Sequence, residues 1–255
     1  MKAMILAAGL GTRLRPLTDD RPKALVEVAG RTLLEIALTR LRSFGVNEVI
    51  VNTHHFADRM AEYLRAHDNF GMRVEISREE ELLDTGGGLK KAAWFFLDGR
   101  NSEGRNSDGG EQGAPFLLHN VDVISSVDLG AMVCAHVAQG ALATLAVMER
   151  ESSRQLLFDA QGHLCGRRVN DSDEVTCSAQ TMKPLAFSGI HVLSSRIFGE
   201  LREQGAFSII DAYLRLAAQG EIIAAYRSDG CYWRDLGKPA SLEQAAHDFA
   251  EGKFS

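Results

Sequence analysis

The residues best equipped for chemistry lie in the first two dozen positions. A short apolar run ends at Gly9, Gly11 follows, and Arg13 stands two residues further on. Glycine lets the backbone come close to a ligand and adopt positive φ, so successive N–H groups can surround phosphate oxygens. Arg13 adds a planar fork of donors that matches a phosphate, and Lys23, after the rigid Pro22, adds a second cation. Two distant carboxylates complete the set. Asp122 follows an apolar strand-like run at 116–119, and Asp235 lies in Trp233-Arg234-Asp235-Leu236-Gly237. Magnesium prefers hard oxygen ligands and is held by one or two carboxylates together with substrate phosphates. The loop lacks the third glycine of G-x-G-x-x-G, where Leu14 stands, and the G-K-[ST] ending of a P-loop. Dinucleotide-binding folds and P-loop NTPases are thereby disfavoured.

Further positions qualify as contacts. Asp84-Thr85-Gly86-Gly87-Gly88 precedes a helical pattern, and its glycines permit close approach by a flat base. Asn52, at a strand end, and Gly189, in Phe187-Ser188-Gly189-Ile190, are sugar-side candidates, with a turn-forming role equally open for Asn52. His54 and His55 have no partner at catalytic spacing and read as exposed loop histidines. Trp233 reads as a packing residue.

The ordered combination Leu6-Ala7-Ala8-Gly9-Leu10-Gly11-Thr12-Arg13-Leu14, then Pro22-Lys23-Ala24-Leu25, then Val28-Ala29-Gly30, resembles the sugar-phosphate nucleotidyltransferase family. Asn120-Val121-Asp122 resembles that family's first metal segment, with Val121 in place of a usual glycine. Trp233-x-Asp235-Leu236-Gly237 resembles its second, with Lys238 where threonine is common. The 84–88 segment is similar to the base-contacting loop of N-acetylmuramate 1-phosphate uridylyltransferases and of guanylyltransferases, and uracil and guanine stay undecided. The resemblance implies a GT-A-like, Rossmann-like fold and transfer of a nucleoside monophosphate from an NTP to a sugar 1-phosphate with Mg²⁺. It implies nucleotide contacts from Leu6, Ala8, Gly9, Gly11, Thr12, Arg13, Lys23, Thr85, Gly86 and Asn120. Catalysis would fall to Arg13, Lys23 and Asp122, metal binding to Asp122 and Asp235, and sugar-phosphate binding to Asn52 and Gly189. Two alternatives stand beside it: a cytidylyltransferase acting on a phosphorylated alcohol such as phosphocholine, and a nucleotide-binding regulatory protein with a weak site.

The elements that must position these residues follow from hydrophobic period. Buried strands are expected at 4–8, 48–52, 73–77 and 116–119, alternating with helices at 32–44, 57–66 and 88–97. Alternation implies a doubly wound, mostly parallel α/β sheet, whose ligands bind outside the carboxyl ends of the strands. After residue 147 the rhythm becomes mixed: a hairpin at 155–168, strands at 185–193 and 222–226, and helices at 208–218 and 239–249. This C-terminal part is expected to extend the sheet and cover the sugar site. The polar stretch 99–113 is expected to be a solvent-exposed loop within one catalytic domain spanning 1–255.

Bulk properties narrow the partners. The 255 residues are 45% hydrophobic and 24% charged, with a formal net charge of −6, so a basic nucleic-acid footprint is absent. No apolar run approaches the ~20 residues that span a bilayer, and a signal-peptide-like start fails at 9–16, where glycine and arginine interrupt it. The four cysteines show no C-x-x-C spacing and suggest reduced thiols and a cytoplasmic location. NTP and sugar 1-phosphate are the expected partners, without nucleic acid or membrane. The oligomeric state is undetermined, and a second activity after the helix at 239–249 is not expected.

Overall fold

The computed structural model describes residues 1–97, 113–177 and 181–254. Apart from Gly113, the loop expected at 99–113 lies outside the described residues. In chain order come β1 (Lys2–Leu6), β2 (Glu27–Val28), β3 (Arg31–Thr32), α1 (Leu33–Ser43), β4 (Glu48–Thr53), α2 (Ala57–Ala66), β5 (Arg73–Arg78), α3 (Asp84–Lys91), α4 (Ala93–Leu97), β6 (Pro115–Asn120) and β7 (Val123–Ser125). They continue with α5 (Leu129–Gln139), β8 (Ala143–Met148), β9 (Arg154–Phe158), β10 (Leu164–Val169), β11 (Ser172–Val175), β12 (Lys183–Ser194), α6 (Ile197–Glu200), α7 (Ile209–Ala218), β13 (Ile223–Arg227), β14 (Trp233–Asp235) and α8 (Pro239–Ala250). The chain forms two compact units, one of Met1–Asp84, Leu118–Val127 and Cys231–Ser255, the other of Thr85–Leu117 and Asp128–Gly230.

The first unit has the expected parallel order. β4 lies between β1 and β5 and pairs in parallel with both, aligning Leu6, Asn52 and Ser77 in one row. α1 and α2 are the crossovers, since parallel neighbours cannot be joined by a tight turn. Thr32 caps α1 by accepting the Glu35 N–H at 3.1 Å, and its buried face is Leu33, Leu34, Ile36, Ala37, Leu38 and Leu41. Gly45 ends it with φ 76°. β4 is buried from Val49 to Thr53, as a strand covered on both faces should be.

The last segment of the chain belongs to this unit. β14 pairs antiparallel with β7, setting Asp235 opposite Val123. α8 begins with Pro239 in its first turn and packs against β14 and β2. Asp248 fastens it: the 3%-exposed carboxylate accepts from the Tyr232 hydroxyl at 2.8 Å and pairs with Arg234 at 2.6 Å. Hydrogen bonds from Tyr232, then Gln244 and Arg234, hold that carboxyl below its ordinary range against the opposing effect of burial.

The second unit is mixed. β8 pairs in parallel with β13 and antiparallel with β12; β12 pairs with β9, and β9, β10 and β11 form a meander. The hairpin expected at 155–168 is β9–β10. Strand β12 shifts register between Phe187 and His191, with Gly189 at φ 76° inside the irregularity. Ser208 caps α7 by accepting the Ile210 N–H at 3.2 Å. Phe96, Phe116 and Phe198 stack against one another with centroids 4.0–5.5 Å apart.

Two buried histidines make this fold sensitive to acid. Burial pushes the His119 and His136 imidazoles down from 6.5 to about 4. The unfolded chain therefore takes up protons first as pH falls through 6.5, so this contribution is complete above 6.5 and is lost toward 4. By pH 5 the loss is about 2 kcal/mol for each histidine. His136 bonds Thr144 Oγ1 at 2.9 Å. His136→Gln is expected to flatten the stability–pH curve between pH 7 and 5, read by denaturant unfolding; an unchanged slope would refute the assignment.

Candidate active site

The loop after β1 is built around Gly11. Its φ of 64° starts the single helical turn Thr12–Leu14, and Leu14 N–H returns to its carbonyl at 2.8 Å. Thr18 Oγ1 donates to the same carbonyl at 2.9 Å. A Cβ at Gly11 would meet Thr18 Cγ2 at 2.9 Å and Lys23 Cβ at 3.1 Å, so the position demands glycine for both conformation and space. Leu14 is buried beneath the loop while Thr12 and Arg13 are exposed.

The loop is braced from below. The Ala7 N–H donates to Asn52 Oδ1 at 2.7 Å, and Asn52 Nδ2 donates to Glu79 Oε1 at 2.7 Å. Glu79 Oε2 accepts the Leu83 N–H at 3.1 Å. Asn52 is 2% exposed and Glu79 4%. Asn52 thus ties three strand ends together. Sequence reasoning missed Glu79, because no spacing marks a carboxylate that works 27 residues from its partner. Ala7, Ala8 and Gly9 open on a cleft of about 240 Å³, whose other walls include Arg15, Pro22 and Phe56. His55 is exposed, and half-buried His54 bonds the Glu79 carbonyl at 3.0 Å.

The charged residues come together beside that loop. Lys23 Nζ and Asp122 Oδ2 form an ion pair, with side chains 12% and 18% exposed. The Leu236 N–H donates to the Asp122 carbonyl at 2.8 Å, which sets neighbouring Asp235 next to it. Asp235 Oδ1 accepts the Gly237 N–H at 2.6 Å. A Cβ at Gly237 would stand 2.5 Å from Arg13 Nη2 and 2.8 Å from Asp235 Oδ1, so Arg13 reaches the same spot. Gly11, Arg13, Lys23, Asp122 and Asp235 therefore form one cluster in the first unit. Asn120 ends β6, its carbonyl bonded to His119 Nδ1 at 2.8 Å, and Val121 N–H donates to the Leu6 carbonyl at 3.1 Å. Neutral His119 is 1% exposed, and among the described residues its Nε2 has no hydrogen-bond partner.

Donor chemistry in this cluster suits a hard cation. Among the described residues no group of three or more His, Cys, Asp and Glu could hold a metal. One or two carboxylates suffice for magnesium when phosphates and water supply the other ligands. One oxygen of each is engaged, Asp122 Oδ2 by Lys23 and Asp235 Oδ1 by Gly237; among the described residues the second oxygens carry no bond.

The other candidates lie in the second unit. α3 begins at Asp84, so Gly86, Gly87 and Gly88 fall inside the helix rather than before it. Thr85 Oγ1 accepts the Ile209 N–H at 3.0 Å, and Gly86 N–H donates to the Phe207 carbonyl at 2.9 Å. A Cβ at Gly86 would overlap the Phe207 ring at 2.2 Å. Close packing onto Phe207, which no local pattern announces, explains glycine there. Gly189 is buried at the irregularity of β12.

The sequence matches the family model described as Nucleotidyl transferase over residues 2–252. The chain belongs to the nucleotidyl transferase family. This nucleotidyltransferase is 34% identical to the N-acetylmuramate alpha-1-phosphate uridylyltransferase of Caulobacter vibrioides, over 98% of this chain and 97% of that one. It is 27% identical to a probable mannose-1-phosphate guanylyltransferase 2 of Oryza sativa subsp. japonica over 94% of this chain, and spans 62% of that protein's length. In fold it is similar to HddC from Yersinia pseudotuberculosis, with TM-score 0.73 and 22% identity over 97% of this chain and 99% of that one. A putative glucose-1-phosphate thymidylyltransferase from Bacillus anthracis gives TM-score 0.75 and 19% identity, covering 97% and 94%. Among the described residues no helix of the nucleotidyltransferase is long and apolar enough to cross a membrane.

Gly11→Ala is expected to lower stability by about 2–4 kcal/mol, from left-handed strain and from overlap with Thr18. Adding Thr18→Ser, which removes Cγ2, should return part of that loss. Denaturant unfolding of the single and double variants measures it, and full stability of Gly11→Ala would contradict the geometry.

Proposed function

We propose that the nucleotidyltransferase transfers a nucleoside monophosphate from an NTP to a sugar 1-phosphate, yielding a nucleoside-diphosphate sugar and pyrophosphate. The convergence of Arg13, Lys23, Asp122 and Asp235 beside the glycine loop carries this reading. Family membership supports it, as do the activities of the relatives. UTP with N-acetylmuramate 1-phosphate is the first pair to try, because that relative matches nearly end to end.

In the proposed reaction a phosphate oxygen of the sugar 1-phosphate attacks the α-phosphorus in line. One P–O bond forms as the α–β bond breaks, and the electron pair leaves with pyrophosphate. The attacking phosphate already carries charge, so no protein nucleophile or base is required. Positioning and charge stabilisation remain as the protein's work. Leu6, Ala8, Gly9, Gly11 and Thr12 would line the nucleotide with backbone, and Asn120 would contact it from the β6 end. Arg13 would hold the departing phosphates. Lys23 would move from its carboxylate partner to the α-phosphate and the incoming phosphate, bringing two anions together. Thr85 and Gly86 would face the base, and Gly189 the sugar. Asn52 would act through Ala7 by holding the loop. Asp122 and Asp235 would hold Mg²⁺, which supplies further neutralisation between the phosphates when bound. A reducing cytoplasmic setting fits the four free cysteines.

Lys23→Ala is expected to lower kcat by at least ~100-fold, the scale of losing one charge-stabilising donor, in a pyrophosphate-release assay across NTPs and phosphate acceptors. Near-normal turnover would remove Lys23 from the mechanism. Asp122→Asn and Asp235→Asn should each raise the magnesium concentration needed for half-maximal rate by on the order of tenfold or more. An unchanged magnesium requirement in both would exclude them as ligands.

A further inference from the structure

Three hydrogen bonds lead in series from the glycine loop into the first unit. Ala7 N–H donates to Asn52 Oδ1 at 2.7 Å, Asn52 Nδ2 donates to Glu79 Oε1 at 2.7 Å, and Leu83 N–H donates to Glu79 Oε2 at 3.1 Å. Both ends of the series are backbone N–H groups, which only donate. Asn52 must therefore turn its oxygen toward Ala7, and Glu79 must offer an acceptor to Leu83. The contact between the two side chains then needs one donor and one acceptor, and the Asn52 amide supplies the donor. Ala7, Asn52 and Glu79 are 4%, 2% and 4% exposed, so a group that loses its partner here gains little from water.

Glu79 is aimed by its own backbone. Its N–H donates to the Thr53 carbonyl at 2.7 Å, and its carbonyl bonds His54 Nδ1 at 3.0 Å. At the other end, Ala7 lies on the wall of the 240 Å³ cleft with Ala8 and Gly9. All these residues belong to the segment Met1–Asp84 of one unit. We propose that Glu79 is a positioning residue for NTP binding: its carboxylate fixes which way the Asn52 amide faces, and that amide holds Ala7 so that Ala8 and Gly9 present their N–H groups to the phosphates. The inference rests on the transferase reading above and deepens it.

The test exchanges amide and carboxylate. In Glu79→Gln a donor meets a donor at Leu83, at Ala7 or between the side chains, whichever way the two amides turn. In Asn52→Asp two acceptors face each other. In the double variant Asn52→Asp/Glu79→Gln the polarity is whole again: the carboxylate accepts from Ala7 and from the amide, whose oxygen accepts from Leu83. Calorimetry measures the binding of UTP, GTP, CTP and ATP to each protein, and steady-state kinetics measure the KM for the sugar phosphate. Each single variant is expected to weaken the tightest NTP by about tenfold or more, the scale of one unmet buried donor, and the double variant to return within about threefold of the unaltered protein. The KM for the sugar phosphate should stay within about twofold throughout. A single variant that fails to fold counts in favour when the double variant folds and binds NTP. Undiminished binding in Glu79→Gln overturns the inference, as does a double variant that fails to fold or binds no more tightly than its singles. A raised KM for the sugar phosphate with NTP affinity unchanged overturns it too, by making Asn52 a sugar contact. If NTP binds and no sugar phosphate is turned over, the transferase reading falls and the dissociation constants alone decide the inference. An unaltered protein that binds none of the four NTPs removes both.

Discussion

The site depends on one attraction, between the Lys23 ammonium and the Asp122 carboxylate. The two residues lie 99 positions apart, and their side chains are mostly out of water. A charge shielded from solvent is costly alone and tolerable when paired, so each residue requires the other. Lys23 follows Pro22, whose φ of −67° starts the helical turn that carries it. Asp122 stands in the turn between β6 and β7, fixed through its carbonyl by Leu236. Strand pairing, the glycine loop and the β14 return thus converge to let two opposite charges meet.

The same pair explains how an acidic protein can handle anions. Lys23 sits beside the glycine loop, with Asp122 as its counter-charge. A phosphate arriving on one side and a cation on the other would substitute for each partner in turn. The exchange replaces one set of charge contacts with another rather than exposing bare charge.

Much of this was legible from local pattern. Apolar runs and their spacing placed β1, α1, β4, α2 and β5, because a parallel strand covered on both faces and an amphipathic helix leave different periods in the sequence. Gly11, Arg13 and Lys23 were recognisable from type and order. Contacts that join distant segments were not legible. Nothing near Asn52 announces that its amide bridges Ala7 and Glu79. Nothing in three consecutive glycines reveals that Phe207 fills the space at Gly86, or that a helix runs through them from Asp84 despite their poor intrinsic propensity.

The return of Cys231–Ser255 to the first unit has a consequence for synthesis. Asp235 and its neighbour Leu236 are made after Lys23 and Asp122, yet they complete the cluster those residues begin. Until Asp235 is made, Asp122 has no second carboxylate beside it. A product that stops short of residue 231 lacks Asp235, so synthesis through Cys231–Ser255 decides whether the cluster is whole.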